Sequence, residues 1–122
     1  THRQMVWEMY QAGLADWAQE EGVRLPVIPA HVEQAYHMFY LLLPGLEIRQ
    51  RFIQYLRERG IYAVFHYLPL HLSDMGIRFG GQPGDCPVTE SVSDRLVRLP
   101  FYNDLMPDDQ KYIIETIKKF DF

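Results

Sequence analysis

Proline and glycine cut this chain into pieces suited only to small elements joined by tight turns. Proline fixes φ and carries no amide proton, so it ends helices and central strands; glycine supplies the left-handed turns that follow them. The breaks fall at Gly22, Pro26, Pro29, Pro44-Gly45, Gly60, Pro69, the run Gly80-Gly81-Gln82-Pro83-Gly84, Pro87, Pro100 and Pro107. Hydrophobic periodicity then decides what each piece becomes.

Thr1 to Glu21 reads as a helix, because Trp7, Tyr10, Leu14 and Trp17 recur at steps of three and four. Gly22 is its stop, and Pro26 and Pro29 make an extended link. Ala35 to Leu43 reads as a strand apolar on both faces, hence buried. Leu46 to Arg59 is the next helix, with Phe52, Ile53 and Leu56 inward, and Ile61 to Tyr67 the next strand. A short helix over His71 to Phe79 precedes the glycine-rich turn. A helix from Val88 to Asp94, with Pro87 in its first turn, leads to a third strand at Val97 to Leu99. Pro107 opens the last helix, whose acidic start (Asp108, Asp109) and basic end (Lys118, Lys119) suit the helix dipole; Ile113, Ile117 and Phe120 face inward. The order αβαβ(α)αβα predicts the α/β class: one domain over residues 1–122, a short sheet packed against helices.

The net charge is -4, with both signs interspersed. A nucleic-acid backbone binder needs a basic face, and a membrane-surface helix needs Lys and Arg on its polar side, so neither class fits. The longest apolar run, Phe39 to Leu43, is strand length, and no signal segment opens the chain. One cysteine, Cys86, allows no internal disulfide, which points to a reducing, cytoplasmic setting. The chain starts at Thr1 and enters a helix almost at once, as a piece of a longer parent would.

Chemistry concentrates in Phe65-His66-Tyr67-Leu68-Pro69-Leu70-His71, which puts two imidazoles and a phenol where a strand opens into a loop. These groups can bind phosphate or sugar oxygens, and histidine can shuttle protons. The same residues could instead be a packed Tyr, a capping His and a proline that ends a strand. His66, His71, Asp74 and Cys86 match no zinc spacing, and Cys86 beside Pro87 reads as a turn cysteine. The glycine turn lacks the following Lys-Ser or Lys-Thr of a phosphate loop. Only Lys111, Lys118 and Lys119 are present, all on the final helix. A Schiff-base lysine needs a dry pocket that lowers its pKa, and these three read as solvated surface.

Several separated motifs, Phe65-His66-Tyr67-Leu68-Pro69-Leu70-His71-Leu72-Ser73, Gly76, Phe79-Gly80, Cys86-Pro87-Val88-Thr89-Glu90 and Arg95-Leu96-Val97-Arg98-Leu99-Pro100-Phe101-Tyr102, resemble the end of the DegT/DnrJ/EryC1/StrS sugar aminotransferases. Tyr36-His37-Met38-Phe39-Tyr40 and the helix carrying Trp7 and Tyr10 fit as well. Within the family the resemblance is nearest to enzymes that aminate dTDP-4-keto-6-deoxyglucose for enterobacterial common antigen. It implies an aspartate-aminotransferase-type (fold type I) architecture, of which this chain is the carboxy-terminal small domain, with residues 1–21 the helix leading in from a large domain. It also implies pyridoxal phosphate (PLP) held by the parent, glutamate as amino donor, a nucleotide-linked deoxysugar as acceptor, and a homodimer. His66, Tyr67 and His71 would be substrate-side residues, with Tyr36 and His37 second candidates. No catalytic lysine lies in this chain, so it would be inactive alone and hold no PLP itself.

A different class stays open: a freestanding α/β ligand-binding or regulatory domain. The Trp7/Tyr10/Leu14/Trp17 stripe discriminates, since a self-contained domain buries it and a piece of a larger protein leaves part of it exposed. A small metallohydrolase would require bound metal.

Overall fold

Helix α1 (His2–Glu21) starts where Thr1 caps it, the Thr1 hydroxyl accepting from the Gln4 amide at 3.2 Å, and stops at Gly22, whose φ of 70° needs no Cβ. The computed structural model describes residues 1–122. Strand β1 (Tyr40–Leu42), helix α2 (Leu46–Arg57) and strand β2 (Val64–Phe65) follow; a 3₁₀ turn (Leu70–Leu72) then leads to the short helix α3 (Asp74–Arg78). Helix α4 (Pro87–Arg95) runs straight into β3 (Leu96–Arg98), and α5 (Pro107–Lys118) ends the fold.

All three strands form one antiparallel sheet in the order β1-β3-β2, with Tyr40 and Val64 both opposite Arg98 and with Leu41 and Phe65 both opposite Val97. Both outer strands are shorter than the patterns at 35–43 and 61–67 predict. The central strand sets the limit: Arg95 is still helical and Pro100 blocks extension, so β3 offers only three residues for pairing. Two further bonds, from the Leu99 amide to the Phe39 carbonyl and from the Leu43 amide to the Arg95 carbonyl, each at 3.0 Å, prolong the β1 side at its two ends. Upstream, Tyr36 takes a left-handed φ of 48°, which breaks the extended run. Nor is β1 covered on both faces. Phe39, Leu41 and Leu43 are buried and Tyr40 and Leu42 only partly so, the alternation of a sheet with one packed face.

The predicted helix over 71–79 divides at Ser73. That side chain donates to the Leu70 carbonyl at 2.7 Å and accepts from the Gly76 amide at 3.1 Å, closing the 3₁₀ turn and capping α3. The other helices lie within two residues of their predicted bounds.

One hydrophobic cluster joins α1, the sheet, α2 and α5. Phe39 sits at its centre, 5.5 Å from the Trp7 ring and 5.2 Å from Tyr10. Two buried polar groups tie distant segments together. The Tyr10 hydroxyl donates to the Pro100 carbonyl at 2.8 Å, and Gln110 Nε2 to the Val6 carbonyl at 2.6 Å, locking α5 to α1. Burial, helped by Tyr102, pushes the Tyr10 hydroxyl well above its ordinary pKa.

All four stripe residues of α1 are buried inside the chain, the outcome attached to a self-contained domain and opposite to the exposed stripe of a fragment. Exposed apolar residues lie elsewhere, among them Phe65, Tyr67, Leu68, Leu70 and Val88. No helix is long and apolar enough to cross a membrane.

Candidate functional site

After Phe65 the chain leaves the sheet edge, and Pro69 turns it into the 3₁₀ segment. The excursion faces α4 across a cavity of about 590 Å³, with His66 to Leu70 on one wall and Val88, Thr89, Val92 and Ser93 on the other. The α4 wall exists because Pro87 starts the helix; the chain then points Val88 and Val92, four residues apart, to the same side.

Two of the sequence-predicted residues meet here. The His66 and Tyr67 rings stand edge to face with centroids 4.9 Å apart, and the Tyr67 carbonyl lies 3.4 Å from the Ser93 hydroxyl, at the limit of a hydrogen bond. His66 is half-buried, and its Nδ1 has no partner. A buried ring nitrogen left unpaired is a group for which a ligand oxygen or hydroxyl would be a fitting partner. Tyr67 is exposed, and the Arg98 guanidinium lies 5.7 Å from its ring centroid. Arg98 Nε is likewise buried and unpaired.

His71 stands next to this wall and is turned away from it. Its Nε2 faces the Glu90 carboxylate at 3.7 Å, and Glu90 accepts from the Gly84 amide at 2.9 Å, tying the glycine turn to α4. Gly76 and Gly81 fit this corner because a Cβ at either would strike the backbone of Leu70 or His71. Tyr36 and His37 are not brought to the cavity. They precede β1, whose partner register puts them at the Pro100 end of the sheet, whereas His66 and Tyr67 follow β2 at the Arg95 end. Tyr36 packs edge to face on Trp7 at 5.9 Å, and His37 is exposed.

His66, His71, Asp74 and Cys86 form no common cluster, and no three His, Cys, Asp or Glu side chains converge. The arrangement suits a polar ligand held against apolar walls: imidazole, phenol and hydroxyl groups for oxygens, with Leu68, Leu70, Val88 and Val92 excluding water.

Two arginines escaped the sequence reading. Arg49 is 8% exposed; its Nη1 donates to the Ser93 carbonyl at 2.6 Å, and the guanidinium carbon is 5.7 Å from the Phe65 ring centroid. The signal was available, since Arg49 precedes Phe52 and Leu56 at helical spacing on the same buried stripe. Arg98 could be found from its place between Val97 and Leu99 in a strand.

The family model for DegT/DnrJ/EryC1/StrS aminotransferases matches residues 1–118. A dTDP-3-amino-3,4,6-trideoxy-alpha-D-glucose transaminase of Micromonospora megalomicea is 29% identical over 119 residues, covering 96% of this chain and 31% of the relative. Among solved structures, DesV of S. venezuelae, in complex with a ketimine intermediate, superposes with a TM-score of 0.86 at 26% identity, covering 97% of this chain and 30% of that one. The sugar aminotransferase Spr1654 of Streptococcus pneumoniae, in its PMP form, gives 0.84 at 26% identity, covering 96% and 29%. The chain thus spans about 30% of the length of the relatives it matches.

Proposed function

Because this chain belongs to the DegT/DnrJ/EryC1/StrS aminotransferase family, we propose that it is the small domain of a PLP-dependent nucleotide-sugar aminotransferase. In this reading the longer protein moves an amino group, from glutamate, to the keto carbon of a dTDP-4-keto-6-deoxyhexose. The finer assignment is dTDP-4-keto-6-deoxyglucose in enterobacterial common antigen synthesis, carried out by a cytoplasmic homodimer. The observation that supports it most is that the His66–Leu70 segment forms one wall of the 590 Å³ cavity in a chain matching the family over residues 1–118.

PLP supplies the carbonyl that takes up and releases the amino group, and it needs a lysine amine in a dry pocket. Lys111, Lys118 and Lys119 are all exposed on or beside α5, and none lines the cavity. The residues of this chain therefore do not fit the reactive end of the cofactor, and no chemical step is assigned to them. Their part is binding: His66 and Tyr67, with His71 behind them, meet oxygens of the sugar or its diphosphate, and Leu68 and Val88 keep water out. Tyr36 and His37, at the far end of the sheet, stay outside this wall.

The buried α1 stripe supports a second reading, a self-contained ligand-binding domain. The upstream reading frame separates the two, since only the aminotransferase has a preceding large domain with its lysine. In that longer protein, His66→Ala and Tyr67→Phe should each raise KM for the nucleotide sugar about tenfold or more, a lost charged or buried hydrogen bond being worth roughly 1.5 kcal/mol. The glutamate half-reaction should be unchanged. Equal effects on both half-reactions, or on neither, would refute a substrate-side role.

A further inference from the structure

We propose that the cleft between the start of β2 and helix α5 is a second binding site, one that takes a small organic cation bearing a guanidinium or quaternary ammonium group. The cleft holds about 440 Å³ and shares no lining residue with the His66 cavity. It lies at the other end of the sheet, where Ile61 and Tyr62 precede β2 and Pro100 and Tyr102 follow β3.

Three tyrosines surround it, Tyr62 at 70% exposure and Tyr102 and Tyr112 at 50% each, above a floor that includes the buried Ile61 and Ile113. Asp109 is the only charged residue in its lining, and it has no ion-pair partner. Arg59, which precedes Gly60 of the lining, is directed elsewhere. The Arg59 carbonyl accepts from the Tyr112 hydroxyl at 2.9 Å, fixing that ring, while the Arg59 guanidinium lies 3.7 Å from the centroid of Tyr55. The cleft therefore has three tyrosine rings in its lining, one unpaired carboxylate and no cation of its own.

Aromatic faces carry a negative quadrupole, and with a carboxylate beside them they favour a positive charge that sheds its water readily. Guanidinium and quaternary ammonium groups meet that condition; a primary ammonium, more strongly hydrated, meets it less well. Anions are repelled by Asp109, and a neutral ligand of equal shape gains only the apolar floor. The volume is that of a small-molecule pocket.

The test is an NMR titration of the tyrosine ring and Asp109 backbone signals of the 122-residue chain with choline, with agmatine and with 3,3-dimethylbutan-1-ol, the neutral carbon isostere of choline. The two cations should give saturable shifts confined to Tyr62, Tyr102, Asp109 and Tyr112, with the isostere about tenfold weaker or worse. Asp109→Asn and Tyr102→Leu should each weaken choline by about tenfold. Thermal unfolding of each variant checks that a loss is not a failure to fold. The proposal is overturned by non-saturating shifts, by an isostere that binds as well as choline, by an Asp109→Asn variant that binds as tightly as the parent, or by binding only to an arginine-rich peptide.

Discussion

Replacing Gly76 with alanine should loosen one corner of the molecule and leave the core intact. In an ordinary helix the change would stabilise by about 0.5–1 kcal/mol, because glycine loses the most backbone freedom on folding. Here the added methyl meets backbone. A Cβ at Gly76 would fall well inside contact distance of the Leu70 carbonyl oxygen and 2.9 Å from two backbone carbons of His71. Carbon pairs are at rest near 3.5–4.0 Å, so α3 and the 3₁₀ turn must part by at least roughly 0.6–1 Å, and by more where the methyl meets the Leu70 oxygen. A backbone cannot swing aside as a side-chain tip does, and overpacking of this kind costs about 1–3 kcal/mol. Set against the propensity gain, the net is about 1–2 kcal/mol against the packed corner.

Where that cost appears follows from burial. Neither the 3₁₀ turn nor α3 contains a buried residue, so this corner can open without disturbing the cluster around Phe39. Global stability in urea should therefore change by no more than about 0.5 kcal/mol. Native-state hydrogen exchange should change far more. The Ile77 amide, bonded to the Ser73 carbonyl at 2.9 Å, and the Gly81 amide, bonded to the Gly76 carbonyl at 2.9 Å, should exchange about tenfold faster. Unaltered protection at both amides would mean that the close approach is not there. A global loss of several kcal/mol would mean that the corner is part of the cooperative core. Either result refutes the reasoning.

Three further perturbations probe the rest. Tyr10→Phe removes the bond to the Pro100 carbonyl and should cost about 1 kcal/mol at pH 7. Because burial raises the Tyr10 pKa above its usual 10, the unfolded chain ionises first, so stability falls as pH rises beyond about 10, by up to ~1.4 kcal/mol per pH unit; urea unfolding from pH 8 to 11 should show that slope reduced in the Phe variant. Gly22→Ala forces a Cβ into the left-handed region with open space around it, and should lower stability by about 1 kcal/mol from backbone strain alone; a neutral result in thermal unfolding would count against the αL cap. Arg49→Met breaks the bond to Ser93 at the end of α4 and should cost about 1.5–3 kcal/mol, with Arg49→Lys restoring less than half, since a compact ammonium cannot both bond the carbonyl and lie along Phe65.

The helices were legible in the sequence because each carries a local signal of its own: the stripe of α1, the Gly22 stop, Pro87 and Pro107 in first turns. The strands were only half legible. Their apolar runs were visible, but their lengths depend on β3, which is cut short by a helix on one side and Pro100 on the other, a constraint that no outer strand's own residues encode. Tyr36 is a sharper case. Nothing in Gln34-Ala35-Tyr36-His37 announces a left-handed backbone at Tyr36, whose ring packs on Trp7, a residue far away in the sequence. At the candidate site, His66 and Tyr67 could be read from the loop position. That His71 would turn toward Glu90 could not, because it depends on the close backbone approach at Gly76 and Gly81, which the residues around His71 do not encode.

The α1 stripe is buried and the Phe65–Leu70 segment is largely open. A stripe of two tryptophans, a tyrosine and a leucine is the strongest apolar feature in the sequence, and it packs wholly within the chain. The weaker feature, a strand too short to bury itself, leaves Phe65, Tyr67, Leu68 and Leu70 more than half exposed beside Val88. The cause is geometric. With only Phe65 and Val64 in the ladder, the sheet ends before the histidine, and the chain beyond it faces α4 with no further strand on the outer edge of β2. Residues placed in that way can wall a cavity and meet a second surface at once, whereas residues on the α1 stripe can do neither. In the proposed aminotransferase, closure of the His66 cavity therefore depends on whatever covers the β2 edge, and substitutions at Leu68 or Leu70 act on ligand binding while leaving the core around Phe39 untouched.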